Sequence, residues 1–171
     1  MQSMETIISS TWVVGYGNFH RRDDGIGPYV AGRIGKKVKH KKDIRTLSLH
    51  QLDPDLIDEL QSARMIIFVD ATMDIIENGW KWERIFPEFK RFYHVTHLFS
   101  PSLILSLIHS LYQRNPETYI VSVQGDNFEF GHGLDPETQK RALKAASAIM
   151  EFLNAFHGKA EIVCNPISEG G

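Results

Sequence analysis

Residues 15–27 read GYGNFHRRDDGIG and separate a run of β-branched residues from a segment whose apolar side chains recur at helical spacing. Glycines in such a turn let the backbone approach a ligand closely, and the first strand–helix turn of an α/β protein is a common ligand site. The adjacent acids Asp23 and Asp24 would repel a phosphate group. The turn therefore predicts a cation site in preference to a nucleotide site.

The segments on both sides of this turn predict a strand followed by a helix. Residues 6–14 are rich in β-branched residues, which is typical of a strand. Ile26, Val30 and Ile34 then recur at helical spacing, and we expect this helix to end before the basic loop 36–42. The loop, KKVKHKK, is typical of a solvated turn, and a docking site for an acidic partner is the alternative interpretation.

The strongest strand pattern is MIIFVD, residues 65–70. It is apolar up to its last residue, which is typical of a central strand in a parallel sheet covered on both faces. Asp70 would then lie at the carboxyl edge of the sheet, where open α/β sheets bind their ligands.

Further elements are predicted along the chain. They are a strand at 44–49 that closes at His50, a short helix at 53–63 with Asp53 as N-cap, an edge strand at 79–85, an extended segment or loop at 92–97, and an inner strand at 119–123. The glycine-rich loop 125–133, GDNFEFGHG, is expected to lie over the site, with structural roles for its His132 and Glu129.

Two pairs of a capping residue and a proline, at 100–101 and 135–136, predict the starts of two more helices. We assign the buried face of the first helix to Leu103, Leu107, Ile108 and Leu111, and that of the second to Ala142, Ala146, Ile149, Met150 and Leu153.

The alternation of strands and helices predicts a three-layer α/β/α sandwich with a mostly parallel, twisted sheet of about five strands. We expect one domain, residues 1–171.

Composition argues against several classes of partner. The 19 basic and 21 acidic residues give a net charge of −2 without a basic stripe, so nucleic acid is not an expected partner. A single cysteine, Cys164, excludes an internal disulfide and a cysteine-rich zinc site. The first residues do not follow a signal-peptide pattern, and no apolar run approaches the ~20 residues that cross a bilayer. We expect a monomeric, cytoplasmic protein that does not bind membranes.

Asp24, Asp70 and His97 are predicted to converge at one edge of the sheet. Two carboxylates and an imidazole suit nickel, zinc or iron better than calcium or magnesium. Structural roles are the alternative: Asp24, or Asp23 beside it, could cap the following helix, Asp70 could be an exposed strand end, and His97 a loop residue. His50 is a candidate fourth polar group.

Other chemistries lack their motifs. The dinucleotide fingerprint fails because His20 stands in place of its third glycine and His50 in place of the acid after the second strand. GxSxG and GxxxxGK[ST] motifs are absent from the sequence. Cys164 lies in a poorly patterned tail, which favours a structural or exposed thiol over a nucleophile.

Several segments in order resemble the [NiFe]-hydrogenase maturation proteases. They are GYGNFHRRDDGIG, HQLDPDLIDEL, IIFVDAT, THLFSPSLIL and FEFGHGLDPE, and the resemblance as a whole covers roughly residues 11–153. The HQLDP variant is similar to the branch that serves soluble, bidirectional hydrogenases, whereas many relatives carry a GGT segment there. Some relatives place the histidine of the site directly after the SP pair, at the position of Ser102.

The resemblance implies an endopeptidase that removes the C-terminal extension of the hydrogenase large-subunit precursor after nickel insertion. It maps the two metal-contacting acids of the family to Asp24 and Asp70 and the histidine to His97, as joint metal-recognition and catalytic residues. Nickel would then arrive with the precursor and not as a permanently bound cofactor. A non-enzymatic nickel-binding module or chaperone for hydrogenase assembly is the alternative. A small-molecule hydrolase would need a nucleophile or base that the sequence does not reveal.

Overall fold

The computed structural model describes residues 10–89 and 99–163. The elements in these ranges are β1 (Thr11–Tyr16), a 3-10 turn (Arg22–Gly25), α1 (Ile26–Val38), β2 (Ile44–Leu49), α2 (Leu56–Leu60), β3 (Met65–Thr72), β4 (Trp80–Ile85), α3 (Pro101–Tyr112), β5 (Glu117–Gln124) and α4 (Pro136–Val163). The start predicted for the first strand and the segment 92–97 lie outside the described residues. β1 extends past its predicted end at Val14 to Tyr16.

The strands form one five-stranded sheet in the order β2-β1-β3-β5-β4. β1, β2, β3 and β5 are parallel, and β4 pairs antiparallel with β5 at the edge. The chain leaves β1 for β2 on one side and reaches β3 on the other side of β1. The carboxyl ends of β1 and β3 therefore flank the switch point of the sheet, where open α/β sheets bind ligands.

Helices cover both faces of the sheet. One face, with Val13 and Ile67, packs with residues of α1 and α4. The opposite face, with Val14 and Phe68, packs with residues of α2 and α3. Consecutive strand residues thus enter different cores, as the alternation of a strand requires. The three-layer sandwich, the central position of β3 and the edge position of β4 are confirmed.

Helix α1 buries Ile26, Val30 and Ile34 as predicted, but it ends later than expected. It includes Lys36 and Lys37 and continues to Val38, because Val38 is the next member of the same i, i+4 series and is buried in the core. The lysines of the 36–42 segment are exposed.

Helix α2 is shorter than predicted, and Asp53 is not its N-cap. Asp55 occupies that position without a side-chain capping bond. Asp53 Oδ1 instead accepts a hydrogen bond from the N–H of Asp55 at 2.9 Å, in the turn before the helix. Such a local bond is the alternative that Asp side chains offer to a cap.

Helix α3 starts as predicted, with Ser100 Oγ accepting the N–H of Leu103 at 3.2 Å. Its buried face was assigned wrongly in part, because Ile104 and Leu105 join Ile108 in the core whereas Leu111 is 65% exposed. Apolar residues occupy more than one side of this helix, so spacing alone does not select the stripe that faces the sheet.

Helix α4 begins at Pro136, as predicted, and buries Ala142, Ala146, Ile149 and Leu153, with Met150 partly buried. In the described part of the chain, no helix combines the length and apolar character that crossing a membrane requires.

Candidate functional site

The turn after β1 and the end of β3 bring Asp24 and Asp70 to the switch point of the sheet. Asp24 belongs to the 3-10 turn, and Asp70 is the first residue of β3 beyond the last β1–β3 pair, Gly15 with Val69. The two side chains are close enough for the charge of Asp24 to act on the pKa of Asp70. Two of the three predicted site residues therefore share one edge.

The alternative interpretation, that Asp70 is an exposed strand end, is wrong, because its side chain is partly buried. Burial raises its pKa to about 6, and the charge of Asp24 acts in the same direction. The hydroxyl of Tyr16, which donates to Asp70 Oδ2 at 2.7 Å, and the backbone N–H of Ala71 oppose this rise. Asp70 can therefore exchange a proton near the pH at which most proteins work.

Asp24 does not cap the following helix through its side chain. Neither the 3-10 turn nor α1 has a side-chain capping bond. Asp24 Oδ2 instead accepts a hydrogen bond from the N–H of Asn18 at 3.0 Å. Gly17, directly before Asn18, has a φ of +148°, and a Cβ added there would lie 1.9 Å from the carbonyl oxygen of Asp24. A glycine is needed there for the turn to close on Asp24.

Other glycines of the turn let β1 and α1 pack closely. A Cβ on Gly15 would lie 1.9 Å from the carbonyl oxygen of Gly27, and a Cβ on Gly27 would lie 2.4 Å from those of Tyr16 and Val69. These glycines bring helix and strand backbones into contact, which is a recognised role of the last glycine in such turns.

Asp23, for which helix capping was one alternative, is instead a buried residue that anchors distant parts of the backbone. Its carboxylate accepts hydrogen bonds from the N–H groups of Asp126, Asn127 and Asp135, each at 2.9 Å, and from the hydroxyl of Thr138 at 2.8 Å. Burial acts to raise its pKa, but the hydrogen bonds outweigh that effect and the pKa lies below its usual value. Asp23 thus ties the start of α4 and the preceding loop to the turn.

The glycine-rich loop 125–133 borders the turn that carries Asp24. The N–H of Arg22 donates to the carbonyl oxygen of Gly131 at 3.2 Å. The N–H of Gly131 in turn donates to the carbonyl oxygen of His20 at 2.9 Å. The ring of His132 packs edge-on against His20, with centroids 5.2 Å apart. The loop and the turn therefore form one wall beside the carboxylates.

A groove of about 490 Å³ adjoins the same turn. Its lining is largely apolar and includes Phe19, Pro28, Tyr29, Leu134 and Arg22. Arg22 and Gly25, which line the groove, belong to the same 3-10 turn as Asp24, and the groove has room for side chains of a bound peptide.

The predicted histidine, His97, lies outside the described residues, as do His94 and Cys164. His50 is exposed directly after β2, at the same edge of the sheet. Within residues 10–89 and 99–163, no group of three or more His, Cys, Asp or Glu side chains is arranged to hold a metal ion. Asp24 and Asp70 are thus the part of the predicted site that these ranges contain.

Sequence reasoning missed Tyr16. Strand alternation was the one pattern that could have indicated its role, because it puts Tyr16 on the same side of β1 as Val14 and Asp70 on the same side of β3 as Phe68. Val14 and Phe68 pack in the same core. Pairing Tyr16 with Asp70 also requires the parallel register of β1 and β3, which a single sequence does not reveal.

No model of a known protein family matches this chain, and no curated protein sequence does. Solved structures do match. A [NiFe] hydrogenase maturation protease HycI from Thermococcus kodakarensis KOD1 is 21% identical over 85% of this chain and 93% of its own, with a TM-score of 0.65. The hydrogenase maturating endopeptidase HybD from E. coli is 18% identical over 85% and 93%, with a TM-score of 0.64. A hydrogenase 2 maturation peptidase from Thaumarchaeota archaeon SCGC_AB-539-E09 is 16% identical over 84% and 97%, with a TM-score of 0.61. The chain therefore has the α/β fold of the hydrogenase maturation proteases.

Proposed function

We propose that this protein is an endopeptidase that removes the C-terminal extension of a [NiFe]-hydrogenase large-subunit precursor. The observation that carries the proposal is the pair of carboxylates, Asp24 and Asp70, at the switch point of a fold that named hydrogenase maturation endopeptidases share. Because the HQLDP segment resembles the branch that serves soluble, bidirectional hydrogenases, we also propose that the precursor belongs to a hydrogenase of that kind. The protein would act as a monomer in the cytoplasm.

Nickel belongs to the substrate in this proposal. Burial and, as a smaller cause, the charge of Asp24 raise the pKa of Asp70, so a cation that contacts both carboxylates would relieve their repulsion and favour the ionised pair. Precursor that carries nickel would make this contact, and precursor without nickel would not. The metal would thus supply the difference in affinity that makes cleavage depend on nickel insertion.

His97 is proposed as the third contact, on the resemblance alone. Carboxylates and an imidazole are ligands that nickel accepts. Bound in this way, the metal would hold the nearby peptide bond in place for attack by water. Polarisation of the carbonyl by the metal and activation of the water by a carboxylate are the two routes open to such a site.

The groove beside the turn supports a peptide substrate. Its apolar lining by Phe19, Tyr29 and Leu134 would hold side chains of an extended segment. Arg22 and Gly25, which belong to the same 3-10 turn as Asp24, also line the groove. We propose that the precursor segment close to the cleaved bond occupies it.

The test is to incubate the protein with nickel-loaded and nickel-free precursor and to measure the mass of the precursor's C-terminal region. We expect shortening of the nickel-loaded form, and loss of this cleavage in Asp24→Asn and Asp70→Asn. Asp74→Asn is the matched control, because Asp74 is an exposed acid four residues after Asp70.

Equal cleavage of both precursor forms would contradict nickel recognition, and full activity of either site variant would contradict the proposed site. A precursor that binds but stays intact would favour the alternative, a non-enzymatic nickel-binding module or chaperone.

A further inference from the structure

The end of β1 holds both carboxylates of the site. Tyr16 Oη donates to Asp70 Oδ2 at 2.7 Å, and the N–H of Asn18, two residues later, donates to Asp24 Oδ2 at 3.0 Å. One oxygen of each carboxylate is thus fixed by the same short segment. The Asn18 contact comes from the backbone and is independent of residue type, whereas the Tyr16 contact depends on a hydroxyl group.

Packing fixes the Tyr16 hydroxyl in place. The ring of Tyr16 meets the ring of Phe68 edge-on, with centroids 6.4 Å apart and planes at 78°. Phe68 precedes Asp70 by two residues on the same face of β3. The side chain that holds Asp70 is therefore itself held by the strand that carries Asp70.

The hydroxyl acts only as a donor. Burial raises the pKa of Tyr16 far above its usual value, and the charge of Asp70 and the hydrogen bond to it act in the same direction. In this contact Tyr16 is the donor, because an ionised carboxylate oxygen can only accept a hydrogen bond.

We propose that Tyr16 is a positioning residue for nickel recognition: its hydroxyl holds the Asp70 carboxylate in the orientation that contacts the precursor's metal. The inference rests on the proposed function. Without this bond, the hydrogen bond from the backbone N–H of Ala71 would remain, but the Asp70 carboxylate would lose one of its two restraints and the contact part of its preferred geometry. Hydrogen bonds to metal-binding carboxylates typically change metal affinity or activity by about 10- to 100-fold.

The experiment compares Tyr16→Phe with the unaltered protein on both precursor forms. Initial rates with nickel-loaded precursor give kcat/KM, and inhibition by nickel-free precursor gives Ki. We expect kcat/KM to fall about tenfold while Ki stays unchanged, because only the contact to the metal is impaired. A purely structural role would alter both values.

Tyr112→Phe is the matched control, since Tyr112 also donates to an aspartate, Asp58, but between α3 and α2. It should leave kcat/KM and Ki unchanged. Tyr16→Leu, which also removes the ring contact with Phe68, should lower the unfolding temperature further than Tyr16→Phe and lower kcat/KM by a similar factor.

The outcomes separate this inference from the proposed function. If the unaltered protein cleaves nickel-loaded precursor and Tyr16→Phe keeps the full kcat/KM, the positioning role is wrong and the function stands. If Tyr16→Phe weakens binding of both precursor forms equally, the role of Tyr16 is structural. If the unaltered protein cleaves neither form, the proposed function itself fails.

Discussion

Asp23 is completely buried and Asp24, the next residue, is only half-buried, although both belong to the same 3-10 turn. Asp23 accepts hydrogen bonds from residues more than a hundred positions away, whereas the side chain of Asp24 accepts one from Asn18, six residues before it. The first acid therefore holds the loop and α4 against the turn, and the second remains available to a ligand.

Asp23→Asn should destabilise the protein far more than Asp24→Asn. An asparagine amide at position 23 would turn an N–H₂ group towards N–H donors and leave at least one of them unpaired inside the protein, at a cost of about 3 kcal/mol. Chemical denaturation measures the difference, and Asp24→Asn should cost less than about 1 kcal/mol. Equal losses of stability in the two variants would contradict the anchoring role of Asp23.

Asp70 should make stability fall as the pH rises from about 4 to about 6. Its folded-state pKa of about 6 lies above the value near 3.9 of an unfolded aspartate, so the folded protein binds more protons in this window. The effect is at most about 3 kcal/mol. Unfolding midpoints measured across this range should show a smaller fall for Asp70→Asn. If the variant and the unaltered protein follow the same curve, Asp70 does not titrate in this way.

Activity should respond to pH in the opposite direction. Contact with nickel requires the ionised carboxylate, so kcat/KM for nickel-loaded precursor should rise through about pH 6, where free Asp70 loses its proton. The measurement is a profile of initial rates at low precursor concentration from about pH 5 to about pH 8. A flat profile over this range would show that ionisation of Asp70 does not limit recognition.

Gly27→Ala and Gly32→Ala, both in α1, should have opposite effects on stability. The added methyl at position 27 would lie 2.4 Å from two backbone oxygens, those of Tyr16 and Val69, which cannot move aside. We expect a loss of about 3 kcal/mol in chemical denaturation. At position 32 the nearest atom is Ser48 Oγ at 3.8 Å, so the better helix propensity of alanine should stabilise by up to about 1 kcal/mol. A similar small effect at both positions would contradict the close contact of β1 and α1.

Ile104→Ala should be costly and Leu111→Ala nearly neutral, although both residues are large, apolar and part of α3. Ile104 is completely buried, and its truncation should cost about 3 kcal/mol. Leu111 is largely exposed, and its truncation should cost less than about 0.5 kcal/mol. Thermal or chemical unfolding measures the loss of stability in each variant. A larger loss for Leu111→Ala than for Ile104→Ala would support the buried face that spacing alone predicts.

Local patterns were sufficient for most elements of the fold. The apolar run of β3, the i, i+4 series of α1 and the cap–proline start of α3 each depend on residues a few positions apart, and each was found where it was predicted. The same patterns placed Asp24 after the first strand and Asp70 at the end of the central one. Parallel strands carry such residues to one edge whatever the details of their packing.

The sequence by itself therefore determined the order of elements, the layers and two acids at one edge, because these follow from the periods of helices and strands. Tertiary structure alone decided that Asp23 is an anchor, that Tyr16 holds Asp70, and that Gly27 lets α1 approach β1 and β3 closely. Each of these contacts joins segments distant in sequence, and depends on strand register and on which side of a turn faces the core. Neither property has a local period in the sequence that could reveal it.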